Sequence, residues 1–175
     1  MKKIAIAFVL SAVVAAPAFA SGPYVGVRAG QAKASYDNTT LTTDSATGLG
    51  VFGGFAFHPN IAAEVEYLSL GEVKGSGFAS KSSGFSVGAV GSFPINDQFS
   101  LFAKLGYAML VTKVTPSGLV PDLKGNAITY GIGGQYNVNP SVGIRLGWDT
   151  YTLDDSAQNF KGKNSMMSVG AVFKF

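Results

Sequence analysis

From Tyr24 onward the chain alternates apolar residues with small or polar ones, in eight runs separated by turn-forming residues. The runs are Tyr24–Gln31, Gly48–Phe57, Ile61–Ser69, Phe85–Phe93, Phe99–Val111, Ile128–Tyr136, Val142–Tyr151 and Met167–Phe175. A period of two sends successive side chains to opposite faces of a strand, so the pattern predicts eight β-strands. Three connections are brief: His58-Pro59-Asn60, Pro94 to Gln98 and Asn137 to Ser141. The other four run to about a dozen residues or more, beyond the usual hairpin loop. Short and long connections alternate, which gathers the short turns at one end of an up-and-down sheet and the long loops at the other.

The two faces of these strands differ in kind. One carries Val25, Val27 and Ala29; Leu49, Val51, Phe55 and Phe57; Ala63, Val65 and Tyr67; Phe85, Val87, Ala89 and Phe93, and continues in the same manner to Val169, Ala171, Phe173 and Phe175, without a charge. The opposite face carries Arg28, Glu64, Glu66, Lys104, Arg145, Asp149 and Lys174, set among glycines such as Gly50, Gly54, Gly88, Gly131 and Gly170. A slip of one residue would exchange the faces, so the register is strongly specified.

Composition narrows what such a sheet can be. Only 13% of the 175 residues are charged against 47% hydrophobic, so the chain is short of water-facing charge. Cysteine is absent, which excludes disulfides, thiolate zinc sites and cysteine nucleophiles. Lys2 and Lys3 precede an apolar run from Ile4 to Ala16, and Pro17-Ala-Phe-Ala20 follows, the pattern of a secretory signal peptide over residues 1–20, cleaved after Ala20. The run is shorter than the roughly 20 residues a spanning helix needs, which argues against an anchor. Subtracting Lys2 and Lys3 leaves 11 basic residues against 10 acidic, a net +1 in place of +3, so no nucleic-acid partner is expected. No later stretch is apolar enough for a membrane helix; a membrane crossing must be made by strands.

A secreted soluble barrel of the lipocalin kind shows the same alternation with its apolar face turned inward. The polar face separates the two, because a water-facing exterior is rich in Lys, Glu and Thr, whereas this one is mostly Gly, Ala and Ser, which suit the crowded interior of an eight-stranded barrel. Phe55, Phe57, Phe93, Phe99, Tyr136, Phe173 and Phe175 also gather toward the short-turn ends, and Tyr67, Phe85, Tyr107, Tyr130 and Trp148 toward the loops. Two such girdles fit the two lipid–water interfaces. The expectation is an all-β fold, an eight-stranded antiparallel up-and-down transmembrane β-barrel over residues 21–175.

Tyr24-Val-Gly-Val-Arg-Ala-Gly30, Gly53-Gly-Phe55 before Pro59-Asn60, Glu64-Val-Glu-Tyr67, Gly133-Gly-Gln-Tyr136, Ile144-Arg-Leu-Gly-Trp148 and Val169-Gly-Ala-Val-Phe-Lys-Phe175 follow one another in an order that resembles the OmpA-like and opacity-type eight-stranded outer-membrane barrels. The resemblance implies location in a Gram-negative outer membrane. It also implies a terminal signal, Phe173 and Phe175, read by the barrel-insertion machinery, and periplasmic chaperones on the way. It further implies an interior salt-bridge network, whose members by position are Arg28, Glu64, Lys104 and Arg145, with Glu66 facing the same way. Where the family's prototype has a second Lys–Glu pair, this chain has Val90 and Gln135, a joint loss that leaves no orphan charge.

Enzymatic chemistry is not expected. The one histidine, His58, lies in a short turn rather than near the loop end, where a His-Ser-acid site of a lipid A-modifying barrel would want it. Glu64 and Glu66 could form a carboxylate dyad or metal site, but ion pairing with Arg28 and Arg145 is the simpler account. Asp37, Asp44, Asp154 and Asp155 lack the spacing of a calcium loop. No cofactor is called for. Tyr36 to Gly48 and Gly71 to Gly84 read as polar surface loops, with Phe78, Leu119 and Val120 as apolar loop residues. Lys33, Lys74, Lys81, Lys113, Lys124, Lys161 and Lys163 lie where lipopolysaccharide phosphates sit, making outer-membrane lipid and lipopolysaccharide the expected partners, with a surface ligand for the loops. The expected role is a scaffold displaying loops for adhesion or recognition; the alternative is a narrow, porin-like channel for ions or very small solutes.

Overall fold

The computed structural model describes residues 22–36, 45–75, 78–115, 123–155 and 160–175. Residues 1–20, Asp37, Asp44, Leu119 and Val120 lie outside them, as do the side chains of Lys74, Phe78, Lys113, Lys124, Asp154, Asp155 and Lys161. Eight strands follow one another: β1 (Pro23–Tyr36), β2 (Ser45–His58), β3 (Ile61–Gly75), β4 (Phe78–Pro94), β5 (Phe99–Thr115), β6 (Leu123–Asn139), β7 (Val142–Asp155) and β8 (Phe160–Lys174). Each pairs antiparallel with its neighbours in sequence, and β8 returns to β1 through Lys174 opposite Tyr24, closing a barrel with no free edge.

All eight expected runs are strands, but most continue further toward the loop end. The expected loop from Gly71 to Gly84 is instead mostly a hairpin, with β3 reaching Gly75 and β4 starting at Phe78. Likewise β2 begins at Ser45, inside the expected loop from Tyr36 to Gly48. Ser, Thr and Gly do not forbid a strand, and once a hairpin is in register each further residue adds ladder hydrogen bonds. The hairpin accommodates one extra residue between Ser69 and Glu72, where Gly71 takes φ +81°. A side chain is disfavoured there twice over, by the left-handed backbone and by the Ala46 Cβ, which a Cβ on Gly71 would meet at 3.0 Å. With 14 to 17 residues in strands such as β1 and β4, the barrel exceeds the roughly 9–11 residues a tilted strand needs to cross a bilayer, and its surplus projects on the loop side.

Two of the short turns are closed by asparagine side chains and the third by the His58 imidazole. Asn96 Oδ1 accepts from the backbone N–H groups of Gln98 at 3.0 Å and Phe99 at 2.8 Å. Asn139 Oδ1 does the same for Ser141 at 2.9 Å and Val142 at 2.8 Å, and Asn60 N–H donates to His58 Nδ1 at 3.2 Å. Such side chains imitate a backbone turn and fix a tight reversal.

The two faces separate as expected. Leu49, Val51, Phe55, Val65, Phe85, Val87, Leu105, Ile132, Leu146 and Met167 are exposed on the outside, forming an apolar belt without charge. In water such a belt is far larger than a soluble monomer tolerates; in lipid it is the required surface. The interior is less polar than expected. Toward the short turns Tyr24, Phe52, Ala62, Val90, Phe102 and Val172 pack into one cluster. Toward the loops a second cluster contains Leu68, Leu70, Ala108, Leu110, Tyr151 and Met166.

Candidate functional site

Between the two apolar clusters lies a layer of charge, set by the alternation of β1, β3, β5 and β7. Arg28, Glu64, Glu66, Lys104 and Arg145 all point into it, and the structure adds Asp149, Tyr24, Tyr151, Ser168 and Gln135. Arg28 grips Glu66 with two parallel bonds, Nε to Oε1 and Nη2 to Oε2, the latter 2.9 Å. Its Nη1 donates to Asp149 Oδ2, and its Nη2 donates to the Tyr151 hydroxyl at 2.7 Å. Lys104 Nζ reaches Glu64 Oε1 at 2.6 Å and Glu66 Oε2 at 3.3 Å. Arg145 Nη1 donates to Glu64 Oε2 at 2.8 Å, an oxygen that also accepts from the Tyr24 hydroxyl at 3.0 Å.

Arg145 is held from its other sides by aromatic faces, 5.0 Å from the Phe52 and Phe102 centroids and 5.6 Å from that of Tyr24. Cation–π attraction inside the barrel offsets part of the cost of burying this guanidinium. Its Nε and Nη2 also donate to Gln135 Oε1 at 3.2 and 3.1 Å. Gln135 thus ties Arg145 into the layer by hydrogen bonds, while Val90 is buried in the apolar cluster toward the short turns. Lys174 stands apart at the short-turn rim, donating to Asn137 Oδ1 at 2.8 Å.

Space inside is scarce. A small cavity bounded by Arg28, Phe52, Glu64, Phe102, Lys104 and Asp149 has room for about one water molecule. Asp149 Oδ1, buried and without a hydrogen-bond partner, is the group such a water would satisfy. Glycine gives the layer its room: a Cβ on Gly50 would stand 2.5 Å from Glu66 Oε1 and 3.1 Å from Arg28 Cγ.

Asp149 and Tyr151 were visible in the alternation as inward-facing residues, but nothing in their spacing assigned them to Arg28. The apolar clusters also escaped, although doublets such as Val51-Phe52 and Leu101-Phe102 place bulk on both faces. Phe173 is exposed on the outer face and Phe175 donates its N–H to Pro23 O at 3.1 Å. His58 is exposed in its turn. Among the described residues no group of three His, Asp or Glu side chains has a metal-holding arrangement.

The outer membrane protein beta-barrel domain family matches the chain over residues 5–175. Outer membrane protein A of Escherichia coli O157:H7 is 27% identical over 192 residues, covering 100% of this chain and 55% of that protein. The chain thus spans about half the length of the curated relatives it matches. Among solved structures, Neisserial surface protein A has a similar fold, with TM-score 0.76 at 19% identity, over 89% of this chain and 98% of that one. The attachment invasion locus protein Ail of Yersinia pestis, solved with the heparin analogue sucrose octasulfate, follows with TM-score 0.62 at 20% identity, over 87% and 99% of the two chains. The protease OmpT of Escherichia coli has a TM-score of 0.54 at 8% identity, over 88% of this chain and 97% of that one, a likeness of fold alone. With an uncharged belt outside, a neutralised layer of charge inside and a family match over nearly its whole length, the chain belongs to the outer membrane protein beta-barrel family, as an OmpA-like eight-stranded barrel of the outer membrane.

Proposed function

We propose that the barrel is a closed scaffold whose work is done by the loops it displays outside the cell, in adhesion or recognition, and not by conduction or catalysis. The observation that carries this reading is the filled lumen: an apolar cluster at each end and a layer of paired charges between them, in which the cavity beside Arg28 and another beside Ser86 and Thr129 each have room for about one water. A conducting path would have to part salt bridges and aromatic side chains together, against the cost of leaving buried charges unpaired.

The test has two arms. The protein, recorded in planar lipid bilayers, is expected to insert without discrete openings; steady ohmic current altered by Glu64→Gln would assign it to the narrow-pore class instead. Cells displaying the protein are then compared with cells lacking it for retention on immobilised heparin, because the similarly folded Ail protein was solved with a heparin analogue. Retention above the control supports recognition through the loops, and equal retention removes sulfated glycans as the ligand class.

A further inference from the structure

We propose that Met109 and Met167 are modification sites, oxidised to methionine sulfoxide by hydrogen peroxide from the loop-side water while the barrel stays folded. Asn126 and Gln31 each promote the reaction at the neighbouring thioether. The chain has four methionines, Met1, Met109, Met166 and Met167, the first outside the described residues. Met109 and Met167 are 58% and 72% exposed on the outer face, whereas Met166 is fully buried in the apolar cluster toward the loops.

The register gives the two exposed thioethers the same surroundings. Met167 stands between Trp148 on β7 and Gln31 on β1, and Met109 stands between Phe85 on β4 and Asn126 on β6. Each therefore has an aromatic residue on one side and an exposed carboxamide on the other. Both also stand where the apolar belt ends on the loop side. The rows below them hold Leu146, Val169 and Ala29, and Val87, Tyr107 and Ile128. The rows above hold Thr150, Ser165 and Lys33, and Ser83, Val111 and Lys124.

Height and facing decide which methionine can be oxidised without harm. A sulfoxide is polar, and at Met166 the new oxygen would be buried among Leu68, Leu70 and Leu110. At Met109 and Met167 it can turn to water or accept from the carboxamide beside it, since cross-strand neighbours hold their Cβ atoms about 4.5–5.5 Å apart. The aromatic residue on the other side is a favourable neighbour for sulfur. In the reaction a sulfur lone pair attacks one peroxide oxygen and the O–O bond breaks. That oxygen stays on sulfur, which is oxidised by two electrons, and the departing hydroxide takes the proton of the transferred hydroxyl and leaves as water. Charge builds on the departing oxygen as the bond breaks, and a carboxamide N–H beside the sulfur supports it.

The test exposes the folded protein in phospholipid vesicles to hydrogen peroxide and follows each methionine by peptide mass spectrometry. Met109 and Met167 are expected to gain one oxygen at least tenfold faster than Met166. The heat-modifiable gel mobility of a folded barrel should be retained when both are fully oxidised. Trp148, the chain's one tryptophan, stands opposite Met167, so its emission should change with the same time course, and should not in Met167→Leu. Gln31→Leu should slow Met167 at least twofold while Met109 in the same molecule keeps its rate. Gln31→Glu, which keeps size and polarity but loses the N–H donor, should do the same. Asn126→Leu should slow Met109 and leave Met167 unchanged. Oxidation of Met166 at a comparable rate, loss of folded mobility, or a ratio of Met167 to Met109 rates that neither Gln31 variant shifts would each overturn the proposal.

Discussion

The Lys104 ammonium on β5 stands 2.6 Å from Glu64 and 3.3 Å from Glu66, so one cation clamps two carboxylates that β3 points into the lumen two residues apart. Around this clamp the layer balances. Arg28, Lys104 and Arg145 face Glu64, Glu66 and Asp149, and their ion pairs link all six into one chain. Balance matters because an unpaired charge in this interior has neither bulk water nor a spare partner to solvate it.

Lys104→Met therefore removes more than one contact. It leaves three carboxylates against two guanidinium groups, and the expected loss of stability is about 3 kcal/mol, the usual scale for breaking a buried pair. Lys104→Met/Glu66→Gln restores the balance and should recover part of that loss. Urea unfolding in lipid vesicles, followed by gel mobility without boiling, measures both; a double variant less stable than the sum of its single losses would contradict the clamp.

Much of this layer was legible in the sequence, and the reason is the strictness of period two. Arg28, Glu64, Glu66, Lys104 and Arg145 share a face because any other assignment puts charge into lipid. Which cation meets which carboxylate was not legible. Arg28 and Asp149 are 121 positions apart, and they meet only because closure of the barrel pairs β8 with both β1 and β7, whose stagger on either side of it brings the two side chains together. The strand ends beyond the bilayer were missed for a different cause: Gly71 to Gly84 lacks hydrophobic alternation, and the ladder there is continued by the hairpin rather than by a buried face.

Gly50→Ala tests whether the interior glycines are room or mere flexibility. The new methyl would stand 2.5 Å from Glu66 Oε1 and displace the Arg28–Glu66 fork, so a destabilisation of about 1–3 kcal/mol is expected from overpacking. Gly91→Ala is the matched control, because nothing lies within 4 Å of a Cβ there. Equal midpoints for the two variants in urea unfolding would show that space at Gly50 is not what the layer requires.

Phe102→Ala opens the lower apolar cluster and removes one of the faces 5.0 Å from the Arg145 guanidinium. Deleting a buried phenylalanine costs about 3–5 kcal/mol, and the folded fraction in vesicles should fall accordingly. In planar bilayers the variant should remain silent, because the layer from Arg28 to Glu64 and the cluster around Leu68 and Leu110 still close the lumen. Openings in this variant alone would locate the closure in the lower cluster.

Val87→Lys asks whether the belt is in lipid at all. Val87 is 54% exposed on the outer face, and its register partners Val65 and Tyr107 are exposed and uncharged. In water an exposed valine exchanged for lysine changes stability little, whereas near the bilayer midplane the ammonium loses its hydration at a cost of roughly 2–4 kcal/mol. The same barrel measured in two surroundings separates these cases: the variant should fold less completely than the parent into phospholipid vesicles. It should approach the parent in short-chain detergent micelles, where the lysine arm can reach water. A cost that is equal in both would mean that the residues beside Val87 set it by packing, and that the apolar belt at this height does not meet the hydrocarbon.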